Sequence, residues 1–362
     1  MKHILLITGS ILVLNGSLTA QNNVCFTLEN NTSTTPGLTT FAKQVNVYGV
    51  MIYGETGVSD EKIMHAAAVT AELLDNNEDG VIDDPVLLAE LVSNEASVPV
   101  FASEGSAAEN DLFSNYQGNG IGAVLYNGEV DPVNTGHWGD DASVEEILHT
   151  INSVGHTNIY PNAFSISPNS SLLTAAMDTA RGGQFLTIPS PYPADAWYHY
   201  NDYTCDYQCM AIEYLYWAIV TNMGILDDPA TCAGIANEWE PCSQSLLQST
   251  DTLVYNLITN SQYKLPQIAP DGNYCPPGLS TNNIENNIFA SLYPNPVKNV
   301  LNVNLNKNFN GTISILNIRA KVLVQVELSK NNLLDISGLS NGVYFLRIET
   351  DKGLITKKFT VI

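Results

Sequence analysis

Glu145, Glu146 and His149 stand close together in Val144-Glu145-Glu146-Ile147-Leu148-His149-Thr150-Ile151. The spacing of Val144, Ile147, Leu148 and Ile151 predicts a buried helix over Val144–Ser153. On such a helix residues 145 and 149 share a face about one turn apart, so a carboxylate and an imidazole can reach the same metal ion. A third ligand must come from another element. Glu213 is the candidate, because it is the only carboxylate in the otherwise apolar run Cys209-Met210-Ala211-Ile212-Glu213-Tyr214-Leu215-Tyr216-Trp217, and a buried carboxylate needs a partner. A second group is Asp75, Asn77, Asp79 and Asp83, which put side-chain oxygens at alternating positions of a short loop. Gly80 permits a sharp turn there, and the backbone carbonyl of Val81 can add an oxygen. An all-oxygen set suits a hard cation such as Ca2+.

The first group resembles the His-Glu-x-x-His helix of zincin metallopeptidases, with Glu145 in place of the first histidine. The resemblance implies Glu145 and His149 as ligands and Glu146 as the group that polarises a metal-bound water. The run around Glu213 is similar to the second metal-binding helix of glutamate-type zincins, where a Glu sits among aromatics and alanine. By the same analogy Tyr207, just before that helix, would stabilise an oxyanion. Two glutamates and one histidine form a harder donor set than the usual zincin one, so Zn2+ or another divalent metal is expected. The second group follows the calcium loop of EF-hands, flanked by a helix ending at Leu74 and another beginning near Pro85. Val86 occupies the last loop position, where the bidentate Glu belongs, so Asp83 or Asp84 would have to complete the shell. The same residues would also serve as an Asx-rich turn capping two helices.

The elements that must position these groups are mainly helical. Periodicity predicts a strand over Val45–Tyr53 and helices over Asp60–Leu74, Pro85–Val92, Ser171–Ala180, Met210–Met223 and Ser243–Ile258, separated by long loops. Arg181 is one of very few basic residues in the region, and is read as a salt-bridge partner of Asp178 or as a binder of a substrate carboxylate. His137, His156 and His199 are spare ligands or hydrogen-bonded loop histidines. The aromatic stretch Tyr192–Tyr203 lines a cleft or packs under a loop. No Gly-x-Ser-x-Gly elbow or phosphate loop is present.

The two ends read differently. Lys2, the apolar run Ile4–Leu14 and a cut before Gln21 predict a signal peptide over residues 1–20, too short to span a bilayer. From Ser291 onward, short alternating segments separated by Asn-Gly and Lys-Gly turns predict a small antiparallel β-sandwich. Tyr293-Pro294-Asn295-Pro296, Leu339-Ser340-Asn341-Gly342-Val343-Tyr344-Phe345 and Lys357-Lys358-Phe359 resemble the C-terminal sorting domains of Bacteroidota type IX cargo. That resemblance implies export through the periplasm to the medium or the outer cell surface, with the type IX machinery as partner. The expected layout is a signal peptide (1–20), an acidic α+β domain with helices dominant (21–275), a polar linker (276–288) and an all-β sandwich (289–362).

Charge follows this layout. Residues from Glu285 onward hold nine Lys/Arg against five Asp/Glu, which leaves residues 1–284 at −27 within a chain of net charge −23. Such acidity excludes a nucleic-acid partner, whose phosphates it would repel. The six cysteines, Cys25, Cys205, Cys209, Cys232, Cys242 and Cys275, suit disulfides in an exported protein. A bond between Cys25 and Cys275 would tie the ends of the middle region together, although spacing leaves the pairing open. The function expected is a secreted metal-dependent hydrolase of peptides or proteins. The alternative is a non-catalytic calcium-binding surface or adhesion protein. No transmembrane anchor is expected in the mature chain.

Overall fold

Val45–Tyr53, predicted as one strand, is a hairpin. Strands β2 (Lys43–Val47) and β3 (Val50–Gly54) pair antiparallel around Tyr48-Gly49. Both turn residues have positive φ, 56° and 102°, as a two-residue turn matched to strand twist requires. A tyrosine at the first turn position hides the reversal from a reading by composition. In a computed structural model of the chain, the described residues are 25–276, 290–305, 311–317, 321–328, 332–350 and 353–362. The expected signal peptide and the linker beyond 276 lie outside them. The chain divides into two units, Met1–Ser280 and Thr281–Ile362.

In the first unit, β1 (Leu28–Asn30), β2, β3, β4 (Ser97–Phe101) and β5 (Leu125–Tyr126) form one sheet in that order. The β1–β2 and β2–β3 pairs are antiparallel, and β3–β4 and β4–β5 are parallel. A parallel pair needs a crossover. It is supplied by α1 (Asp60–Leu74) and α2 (Pro85–Ser93), and α3 (Ala107–Asn115) follows β4. Ser59 caps α1 by accepting from Lys62 N, and Asp60 and Glu61 complement its N-terminal dipole. The sheet is buried on both faces. Ile52 and Val100 join the main core, whereas their neighbours Tyr53 and Phe101 join a smaller cluster with Phe41 and Leu112.

The helices that carry the metal-ligand candidates pack into the main core. Helix α4 (Ser143–Ile151) buries Val144, Ile147, Leu148 and Ile151, each worth about 1.5–3 kcal/mol. It runs through a π-helical turn, Asn152–His156, into α5 (Thr157–Ile159). Next come α6 (Pro161–Phe164), α7 (Leu172–Ala180) and α8 (Tyr207–Asn222). Asp206 caps α8, which is buried over nearly its whole circumference. After α9 (Pro229–Ile235), the helix predicted over Ser243–Ile258 is broken at Asp251 into α10 (Gln244–Thr250) and α11 (Thr252–Ile258). Asp251 accepts from Val254 N as the cap of α11, and also from Trp197 Nε1 and Tyr214 Oη. Those tertiary partners hold the break.

Disulfides join Cys25 to Cys275, Cys205 to Cys209 and Cys232 to Cys242. The first closes the unit end to end, as its bracketing position suggested. The second unit consists of two antiparallel sheets. One has order β10-β7-β6, with β6 at Ala290–Tyr293, β7 at Val300–Leu305 and β10 at Asn332–Asp335. The other has order β12-β11-β8-β9, with β8 at Gly311–Leu316, β9 at Val322–Glu327, β11 at Gly342–Thr350 and β12 at Gly353–Val361. Leu301, Ile313, Leu334, Leu346 and Phe359 fill the core they share. The expected α+β class with an all-β C-terminal sandwich is what the chain adopts.

Candidate metal centre

Helices α4 and α8 bring Glu145, His149 and Glu213 together. One ligand atom from each lies within 4.8 Å of the others, and no other such group of His, Cys, Asp or Glu occurs among the described residues. His149 Nε2 stands 3.5 Å from Glu213 Oε2, and its Nδ1 stands 3.8 Å from Glu146 Oε2. The imidazole is 7 % exposed, yet Nε2 makes no hydrogen bond, because the approach of Glu213 lacks the geometry for one. The ring packs edge-on against Tyr216 at 5.5 Å.

The electrostatics of the group are those of a site short of positive charge. Burial pushes Glu145 up to about 7 and Glu146 up to about 8, and repulsion from neighbouring carboxylates, Glu129 among them, adds to both. Burial also raises Glu213 well above the carboxylate range, with further repulsion from Glu145 and Glu146. It lowers His149 to about 4, so the imidazole is neutral and has a lone pair to give. A divalent cation would reverse all three carboxylate shifts and occupy the unpaired nitrogen. The residues present therefore fit a metal.

Two tyrosines to which the sequence reading gave no role at the metal ligands lie against them. Tyr216 stands beside Glu145 and Tyr200 beside Glu213, and each tyrosine draws its neighbour's proton affinity down against the effect of burial. Tyr216 lies three residues after Glu213 on the same helix, so its spacing was a usable signal. Tyr200 comes from a loop, and no periodicity marks it. Tyr207 does not join them. Its hydroxyl donates to Asp178 Oδ1 at 2.8 Å, an assignment fixed by the packing of α7 against the start of α8.

A cavity of about 560 Å3 opens onto Glu146, His149 and Glu213, with Gly122, Val124 and Glu129 on its wall. A smaller one of about 230 Å3 meets Glu145 and Tyr216, and Glu129 lines it as well. Glu146 thus faces open space beside the three converging side chains.

The remaining polar residues have local duties. Arg181 does not pair with Asp178; it is buried between the Phe185 and Tyr192 rings and donates from Nη1 to the Phe185 carbonyl at 2.7 Å. His137 pairs with Asp140, His199 with the Ala196 carbonyl, and His156 is buried among Tyr160 and Phe164. The aromatic stretch is divided in its roles. Tyr198 is core, bonded to the Met210 carbonyl, while Tyr203 is exposed.

The loop from Asp75 to Asp83 closes on itself. Asp75 accepts from Asp79 N and Gly80 N, Asn77 from Asp79 N, Asp79 from Val81 N, and Asp83 from Asn76 N. Gly80 has φ +85°, the left-handed conformation that the sharp turn needs. Asp75 is fully buried and also accepts from Tyr274 Oη. Asp84 already has a structural duty, since Oδ1 caps α2 and Oδ2 accepts from Tyr160 Oη.

No curated protein matches the chain in sequence. No helix among the described residues is long and apolar enough to cross a membrane. Residues 291–362 match the secretion system C-terminal sorting domain family over the whole β-sandwich. The C-terminal unit is thus a type IX sorting domain, and the protein is cargo of that secretion machinery, destined for the medium or the cell surface.

Proposed function

We propose that the protein is an exported metal-dependent hydrolase that cuts amide bonds in peptides. The observation that carries this reading is the convergence of Glu145, His149 and Glu213 around an imidazole nitrogen that is buried and unbonded. Glu145, His149 and Glu213 hold the ion, Zn2+ or another divalent metal. Bound there, it would supply Lewis-acid polarisation of the scissile carbonyl and a more acidic water. Tyr216 and Tyr200 orient the ligand carboxylates. Glu146 accepts a proton from the attacking water, whose oxygen bonds to the carbonyl carbon. The C–N bond then breaks, and Glu146 passes the proton to the leaving amine. The oxyanion role expected of Tyr207 has no support, because its hydroxyl is committed to Asp178.

Chelated, metal-free protein titrated with Zn2+ by calorimetry should take up about one equivalent, and saturation at a hundredfold excess over Kd should add about 3 kcal/mol of stability. His149→Ala and Glu213→Gln should abolish that uptake while the far-UV dichroism stays unchanged. Uptake that is absent, or indifferent to both changes, would leave the non-catalytic calcium-binding surface protein as the better account.

The Asp75–Asp83 loop is proposed to hold Ca2+ through Asp75, Asn77, Asp79, Asp83 and the Val81 carbonyl. Its support is the crowding of acids: burial and the repulsion of Asp271 and Asp75 raise Glu78. Asp79 is the cleaner probe, since Asp75→Ala would also remove the buried carboxylate that accepts from the Tyr274 hydroxyl. Calcium at a hundred times its Kd should stabilise the wild type by about 3 kcal/mol, and Asp79→Ala should remove most of that gain. Melting curves that coincide with and without calcium would leave the loop as a helix-linking turn.

A further inference from the structure

We propose that the cleft beside Glu145 and His149 selects peptides with a lysine or arginine near the bond to be cut, and that Glu129 is the selecting residue. The inference rests on the hydrolase reading above and adds its substrate class.

Glu129 lines both cavities, so it stands where a chain passing the ligand cluster must run. Its position is fixed. It ends a 3-10 turn, Asn127–Glu129, directly after β5, and its Oε2 accepts from Tyr126 N at 3.2 Å. It remains exposed to solvent. Neither cavity is lined by a lysine or an arginine. Lys62 reaches the same turn but is bonded to the Asn127 carbonyl. The buried, unbonded Nε2 of His149 in the larger cavity marks the cleft as built for a ligand rather than merely acidic.

Charge decides what that ligand can carry. A divalent ion offsets the two ligand carboxylates and leaves the carboxylate of Glu129, which lines both cavities, facing the substrate without a cationic side chain beside it. The side-chain-sized cavity adds Trp138, 40 % exposed, whose ring face attracts a cation. An acidic peptide meets repulsion from Glu129, and the acidic domain as a whole steers cations inward.

The test uses Glu146→Gln protein loaded with Zn2+ and three ten-residue peptides that differ only in a central Lys, Ala or Glu. Binding is read by calorimetry and by tryptophan fluorescence. The Lys peptide should bind at least about tenfold more tightly than the Glu peptide, with the gap shrinking as NaCl rises. Adding Glu129→Gln should narrow the gap by about threefold. Equal affinities, or a gap that Glu129→Gln leaves intact, would overturn the selectivity. Wild-type protein that cleaves all three peptides at one rate keeps the hydrolase and removes the preference. If no peptide is bound or cleaved, both readings fall.

Discussion

Glu146→Gln should leave the metal content unchanged and lower kcat for peptide hydrolysis by about 10^2–10^4-fold, the usual contribution of a positioned general base. Glutamine keeps the size of the side chain and its polarity but cannot accept the proton. Glu146 is not one of the converging ligands. Its carboxylate faces the larger cavity, 3.8 Å from Nδ1 of His149. Burial and two neighbouring carboxylates raise its proton affinity, which suits a group that must take a proton and give it back. KM should change little, because the lost interaction belongs to the transition state. Metal content by plasma emission and initial rates on one peptide decide the matter. A variant as active as wild type removes Glu146 from the chemistry, and one that loses its metal makes it a ligand.

Deleting residues 291–362 should stop delivery to the surface or medium and leave the remaining chain in the periplasm. The sandwich is a unit with its own core, and the first unit has its own core and three disulfides. The truncated protein should therefore stay folded, protease-resistant and competent to bind metal. Fractionation with an antibody to the first unit reads the outcome. Surface delivery at wild-type levels would show that the sorting domain is dispensable for export.

Much of this was legible in the sequence. The Ala-rich periodicity of Asp60–Leu74 gave that helix its observed bounds, since a capping serine and an apolar face are local properties. The pairing of residues 145 and 149 follows from helical geometry alone. Glu213 was singled out by a solvation argument, that one carboxylate in an apolar helix needs a partner, and the fold sets it 3.5 Å from His149 Nε2. The β-sandwich was carried by alternation and turn motifs, which are also local.

Tertiary structure decided the rest, because periodicity defines a face without naming what lies opposite it. Tyr207 and Tyr200 illustrate this. The sequence puts Tyr207 at the start of the helix that carries Glu213, yet the packing of α7 turns its hydroxyl onto Asp178, while a loop delivers Tyr200 beside Glu213. The break at Asp251 depends on Trp197 and Tyr214, which lie 54 and 37 residues away in the chain. The position of Glu129 on the wall of two cavities is set by a turn after the edge strand. Residue types and spacings supplied the chemistry available to this chain. Which groups meet, and in how little water, was settled by the packing of α4 and α8 into one core.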